Sequence, residues 1–140
     1  MEKLTPNQRK LNLVQSFSGL DSWEDRYKKI IEMGKKLSPM DDQLKTEQNK
    51  IKGCQSQVWI FSEKKDDGNV YFTADSDALI VKGLVSLVLE IYSGAKPSEI
   101  LSTSPDFIKS MGFETHLSPS RTNGLYAMIK EIILRAYQFQ

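Results

Sequence analysis

The sequence has few of the residues that metal centres and disulfide frameworks need. Its 140 residues include one cysteine, Cys54, and one histidine, His116. A lone cysteine cannot form an internal disulfide, and together with a lone histidine it cannot supply the ligand set of a structural zinc ion or an iron–sulfur cluster. We therefore expect no internal disulfide and no resident metal.

An excess of one charge and a long apolar run are also missing. Nineteen Lys and Arg residues stand against 18 Asp and Glu residues, a net charge of +1, which excludes a nucleic-acid binder driven by bulk charge. The most apolar segment, residues 78–92, is short for a membrane span and carries Lys82 and Glu90. Residues 1–8 contain no apolar run of signal-peptide length. We therefore expect a cytoplasmic protein, without a membrane or nucleic-acid partner, whose thiol stays reduced.

The composition is that of an ordinary folded domain. Apolar residues make up 39% and charged residues 26% of the chain, and no repeat, low-complexity tract or linker marks a boundary, which predicts a single domain over residues 1–140. The sequence contains no P-loop, dinucleotide-binding turn, Gly-x-Ser-x-Gly elbow or Cys-x-x-Cys pair. Any thiol chemistry must therefore use a single sulfur at a time.

Helical patterns lie at both ends of the chain. Two helices are expected over residues 5–19 and 21–38, and a last helix begins at residues 118–119, where serine is followed by proline. Residues 78–92 are apolar nearly all round, which predicts a buried central helix capped by side-chain oxygens of residues 75–77. Its Gly83 should let a neighbouring element approach closely.

A β-hairpin is predicted between the helical regions. Residues 57–61 and 70–73 are rich in aromatic and β-branched side chains and flank an Asp-Gly turn. Because an isolated hairpin is marginally stable, we expect a third strand around residues 50–52. Helices, then strands, then helices predict an α+β fold in which helices pack on one face of a small antiparallel sheet.

Cys54 lies where a polar loop meets the first predicted strand. Gly53 gives the backbone freedom, and Lys50 and Lys52 add positive charge that is expected to favour the thiolate. Thiolates are nucleophiles and carriers of sulfur, so this placement fits a reactive cysteine. The alternative is an inert cysteine that behaves as a small hydrophobic residue.

Two further residues are candidates for the same chemistry. His116 would be the general base for Cys54 in a thiol hydrolase, although nothing in the spacing shows that the two residues meet. Arg121 lies in the first turn of the last helix, where the helix dipole disfavours a cation. It therefore suits the binding of an anionic sulfur species or a partner carboxylate. A structural histidine and an exposed arginine are the alternatives.

Several segments, in order along the chain, carry a family resemblance. They are GCQSQVW at residues 53–59, DSDALIVKG at residues 75–83 and HLSPSRTNGL at residues 116–125, together with WEDRY at residues 23–27. The first resembles the active-cysteine signature of the SufE-type sulfur acceptors, and the next two resemble the starts of that family's central and last helices. SufE-type proteins assist cysteine desulfurases in iron–sulfur cluster assembly. The resemblance covers nearly the whole chain from about residue 17.

The resemblance implies a fold akin to the IscU-like scaffolds and a carrier of sulfur that holds no metal. Cys54 would attack the outer sulfur of a persulfide on a SufS/CsdA-type cysteine desulfurase and pass that sulfur to a SufBCD-type scaffold. The protein would stimulate the desulfurase as an accessory protein and would not be an enzyme itself. It would need no cofactor, because the pyridoxal phosphate belongs to the desulfurase.

The resemblance also implies roles for individual residues. Cys54 is the sulfur acceptor, Gly53 and Gln55 shape its loop, and Asp77 and Arg121 lie near that loop or at the contact with the desulfurase. The apolar start of the following strand further predicts that Cys54 is partly shielded in the free protein. It would then swing out when the desulfurase binds, which limits oxidation of the thiolate.

Overall fold

A computed structural model describes residues 4–140, and its α+β architecture matches the prediction. The helices are α1 (Pro6–Ser18), α2 (Trp23–Lys35), α3 (Leu79–Tyr92), α4 (Pro97–Leu101), α5 (Phe107–Ser110), α6 (Phe113–His116) and α7 (Pro119–Gln138), with a 3-10 turn at Asp42–Leu44. The strands are β1 (Val58–Lys64) and β2 (Val70–Ser76). The single domain over residues 1–140 stays a prediction. Residues 1–3 lie outside the described residues, and so does that part of the segment 1–8 in which no signal peptide is expected.

The first and last long helices begin where the sequence predicts them. Thr5 caps α1, because its hydroxyl accepts a hydrogen bond from the Gln8 amide and the Gln8 side chain accepts one from the Thr5 amide. Ser118 caps α7 by accepting from the Arg121 amide at 3.4 Å, and Pro119 occupies the first helical position. These local contacts satisfy backbone donors that have no partner inside the helix.

The two strands form one antiparallel hairpin. Val58 pairs with Ser76 at one end, and Lys64 pairs with Val70 at the turn. The predicted third strand around residues 50–52 is wrong, because the chain there forms only an isolated bridge between Lys50 and Trp59. The segment turns away immediately afterwards, at residues 52–53, and so cannot extend the pairing.

Helix α3 is the centre of the core, as predicted from its apolar sequence. It packs against α1, α2, α7 and β2, and its Leu84, Leu87 and Ile91 are fully buried. The contact with α2 is backbone to backbone: a Cβ on Gly83 would overlap the carbonyl group of Ile30. The predicted close approach at Gly83 is therefore confirmed.

The predicted cap of α3 by residues 75–77 is wrong. The N-cap residue is Ala78, and no side chain caps the helix. Strand β2 continues as far as Ser76, so Asp75 belongs to the sheet and not to the start of the helix. The Asp75 carboxylate instead lies 3.0 Å from the Lys45 ammonium and 3.4 Å from that of Lys82. It thereby ties the polar loop before β1 to α3.

Replacing Asp75 by asparagine should destabilise the fold and flatten its acid dependence. Burial opposes ionisation of Asp75, but hydrogen bonds from Lys45 and the Ser76 amide, with the charge of Lys82, hold its pKa below the ordinary 3.8. The charged form thus contributes stability that is present above about pH 4 and lost as the pH falls through the folded-state pKa. We expect a loss of about 1–2 kcal/mol near neutral pH, measured by urea unfolding.

The matched control is Asp42→Asn, which removes the exposed partner of the same Lys45 ammonium. Its effect should be smaller, because exposed ion pairs contribute little. In acid the difference between wild type and Asp75→Asn should shrink. A difference that is unchanged from neutral pH to about pH 3 would contradict the assignment of the acid dependence to Asp75.

Candidate functional site

Cys54 lies in a loop whose two arms are held together. At the base, the Ile51 amide donates to the Val58 carbonyl at 2.8 Å. The Asp77 carboxylate accepts from the Gln57 amide at 3.0 Å, and the Asp77 amide donates to the Gln57 carbonyl at 3.3 Å. Asp77 therefore fastens the second arm of the loop to the junction of β2 and α3.

Gly53 supplies the backbone conformation that the turn before Cys54 requires. Its φ is +92°, in the region that residues with a side chain rarely adopt. Space is not the constraint, since a Cβ there would meet the Ala127 methyl at an ordinary 3.5 Å. Gln55, on the other side of Cys54, is exposed. Gly53 therefore shapes the loop through its conformation.

The loop, α3 and α7 enclose a cavity of about 330 Å³ that is lined by Cys54. Buried apolar residues form part of its lining, namely Val81, Leu84 and Met128. The remaining lining is polar or small and comprises Gln55, Ser56, Ser118, Ser120, Arg121 and Gly124. The thiol thus adjoins a space with both an apolar and a polar lining.

The Cys54 thiol is half-buried and hydrogen-bonded. Its Sγ donates to the Gly124 carbonyl oxygen over 3.6 Å, and burial raises the pKa of the thiol. The predicted partial shielding is confirmed. The contact given for the sulfur is with Gly124 of α7, whereas the prediction rested on the strand that follows the cysteine.

The predicted influence of Lys50 and Lys52 on the thiol is wrong. Burial raises the pKa of the Cys54 thiol and so disfavours the thiolate that the lysines were expected to favour. Both lysines line a separate groove, and the Lys50 ammonium lies 3.9 Å from the Glu47 carboxylate. The chain turns between the lysines and the cysteine, so neighbours in sequence face different spaces.

Arg121 lines the same cavity as Cys54. Arg121 is exposed. Within residues 4–140, no carboxylate lies at ion-pairing distance from its guanidinium. An arginine without a protein counter-ion can bind an anion with its planar set of N–H donors. The geometry therefore agrees with the role expected for Arg121.

His116 does not join Cys54 at the cavity. Its ring stacks on Trp23 at 4.1 Å between centroids, and its Nδ1 lies 2.9 Å from the Thr115 hydroxyl and 3.1 Å from the Gly112 carbonyl oxygen. It is not among the residues that line the cavity. These contacts agree with a structural histidine.

Sequence reasoning missed most of the cavity. Gly124, Ser118 and Ser120 lay inside a segment that carries the family resemblance, but their own contacts had no local signal. Leu84 and Met128 matched the pattern of core residues, and the structure shows that they line the cavity as well. Which core residues border a cavity depends on how α3 and α7 meet.

Two kinds of feature are absent from residues 4–140, a membrane-spanning helix and a cluster of metal ligands. Between residues 4 and 140, the helices lack either the length or the apolar character required to cross a bilayer. Over the same residues, no three His, Cys, Asp or Glu side chains gather as the ligands of a metal ion would.

The fold and the site define a class: an α+β protein with a half-buried thiol beside a small cavity. The model of the SufE family, described as an Fe-S metabolism associated domain, matches residues 11–136. The chain belongs to this family and is associated with iron–sulfur metabolism. It is also similar to the solution structure of a hypothetical protein from Thermus thermophilus, with a TM-score of 0.79 and 22% identity over 98% of each chain. That likeness shows the fold alone.

Proposed function

We propose that Cys54 accepts a sulfur atom from the persulfide of a SufS/CsdA-type cysteine desulfurase. The observation that carries the proposal is the half-buried Cys54 thiol beside a cavity that it shares with Arg121. Membership of a family associated with iron–sulfur metabolism supports it. Cys54 is the only thiol in the sequence, so the proposal leaves no choice of acceptor.

The transfer is an exchange at sulfur without net oxidation or reduction. Cys54 loses its proton, and the thiolate attacks the outer sulfur of the donor persulfide. A new S–S bond forms on Cys54 while the S–S bond of the donor breaks, and the donor leaves as a thiolate that takes up a proton. The exposed guanidinium of Arg121 stabilises negative charge on the attacking or the outer sulfur.

The protein acts with partners and has no turnover of its own in this proposal. It stimulates the desulfurase by removing its persulfide sulfur, and it passes that sulfur to a SufBCD-type scaffold in the cytoplasm. The pyridoxal phosphate belongs to the desulfurase. A single cysteine suits a carrier, because a second nearby thiol would release the sulfur as sulfide and leave a disulfide.

The direct test is the mass of the chain after incubation with a cysteine desulfurase and free cysteine. We expect a gain of about 32 Da, one sulfur atom, on the peptide containing Cys54, and its loss on treatment with a thiol reductant. If the desulfurase in the same reaction forms its own persulfide but the mass of this chain does not increase, the proposal is overturned.

His116→Ala separates this function from a thiol hydrolase. Since His116 lies on Trp23 and not at the cavity, the variant should accept sulfur at nearly the wild-type rate. A hydrolase that used His116 as the general base would lose about 100-fold or more of its activity. A comparable loss of sulfur acceptance in His116→Ala would favour a direct role for the histidine.

A further inference from the structure

The sulfur of Cys54 lies against one residue of α7. Sγ donates to the carbonyl oxygen of Gly124 over 3.6 Å, and Gly124 is buried within the helix. A Cβ on Gly124 would lie 3.4 Å from this Sγ and 4.0 Å from the Cys54 Cβ. Beyond the helix backbone and the adjoining residues, nothing else lies within 4 Å of that position. The space beside Gly124 is thus bounded by Cys54.

Helix α7 itself gives no reason for a glycine at this position. Gly124 is not among the glycines with a positive φ, so its backbone conformation is open to any residue. In a helix interior, glycine is less favourable than alanine by about 1 kcal/mol. Outside α7, Cys54 is therefore the residue that a side chain at residue 124 would touch first.

We infer that Gly124 is a positioning residue for the Cys54 sulfur: its carbonyl oxygen accepts a hydrogen bond from the thiol, and the absence of a side chain leaves the sulfur uncrowded beside it. The link to sulfur acceptance rests on the proposed function. A carbonyl oxygen accepts a hydrogen bond from a thiol but repels a thiolate. Gly124 therefore holds Cys54 as a sheltered neutral thiol, and the sulfur leaves Gly124 before it reacts.

The test is Gly124→Ala in the isolated chain, with iodoacetamide as the probe of Cys54. The added methyl group would meet the sulfur at 3.4 Å, the close limit of ordinary contact, and so crowds the sulfur and weakens its hydrogen bond to the carbonyl oxygen. We expect the alkylation rate near neutral pH to rise at least about threefold, since alkylation follows the thiolate fraction and access to the thiol. The pH profile of alkylation should move to lower pH. The loop, α3 and α7 contribute one charged residue to the lining of the cavity, Arg121. Wild type and Gly124→Ala both retain it, so it does not cause a difference between their pH profiles.

Asn123→Ala is the matched control, because it changes an exposed neighbour in the same helix and also raises helix propensity. It should leave the alkylation rate and its pH profile unchanged. A wild-type rate and a wild-type pH profile in Gly124→Ala would overturn the inference. If Gly124→Ala does not fold, the same change in a Cys54→Ala chain should fold at least as stably as Cys54→Ala alone. Failure there would overturn the inference as well.

This result is independent of the sulfur-transfer test, because alkylation is measured without a desulfurase. A wild-type chain that gains no sulfur from the desulfurase would contradict the proposed function alone. A faster alkylation of Gly124→Ala in the same preparation would still establish that Gly124 positions the thiol. In a chain that does accept sulfur, both results together assign Gly124 to the sulfur acceptor site.

Discussion

Cys54→Ser is expected to abolish sulfur acceptance and to preserve the fold. A serine hydroxyl forms no persulfide with the donor, so the mass gain should fall to the background of a reaction without desulfurase. Stimulation of the desulfurase should disappear with it, because the donor persulfide is no longer removed. The rates of sulfur loading and of alanine release from cysteine measure the two losses.

The fold should survive this change, since serine is smaller than cysteine and its hydroxyl can also donate to the Gly124 carbonyl oxygen. We expect the free energy of unfolding to change by about 0.5 kcal/mol or less. A folded Cys54→Ser chain that still carries the extra sulfur would show that another group is the acceptor. A chain that stimulates the desulfurase without loading would separate activation from sulfur transfer.

Gly83→Ala is expected to cause a large loss of stability. A methyl group at residue 83 would overlap the carbonyl group of Ile30 and its side chain, and a backbone carbonyl in α2 cannot rotate away. Gly34 faces the same crossing, where its own Cβ would lie 2.8 Å from the Gly83 amide nitrogen. The two helices must therefore separate, at a cost of about 3 kcal/mol, the upper end of the usual range for overpacking.

Urea or thermal unfolding of Gly83→Ala measures that cost. Gly19→Ala is the matched control, because nothing lies within 4 Å of its added methyl group and its backbone is already right-handed. Its stability should stay within about 0.5 kcal/mol of wild type. Equal stabilities of the two variants would mean that α2 and α3 separate without cost, which contradicts the observed contact.

The helices were largely predictable because their signals are local. The Thr5 cap and the serine–proline pair at residues 118–119 act within a few residues, so the sequence carries them directly. The prediction of a third strand was wrong for the opposite reason. Pairing at residues 50–52 ends at the turn before Cys54, and the position of that turn is visible only in the path of the folded chain. The prediction of a cap for α3 was wrong because β2 continues through Ser76, where the Asp75 carboxylate pairs with Lys45 and Lys82.

By itself, the sequence determined that a single thiol, Cys54, carries any sulfur chemistry, and its motifs indicated the family that the comparison confirmed. Tertiary structure alone decided the environment of that thiol. Cys54 and Gly124 are separated by 70 positions in the chain, and they meet because α7 packs beside the loop. Burial, which raises the pKa of the thiol, likewise depends on atoms distant in sequence, whereas the adjacent lysines face elsewhere.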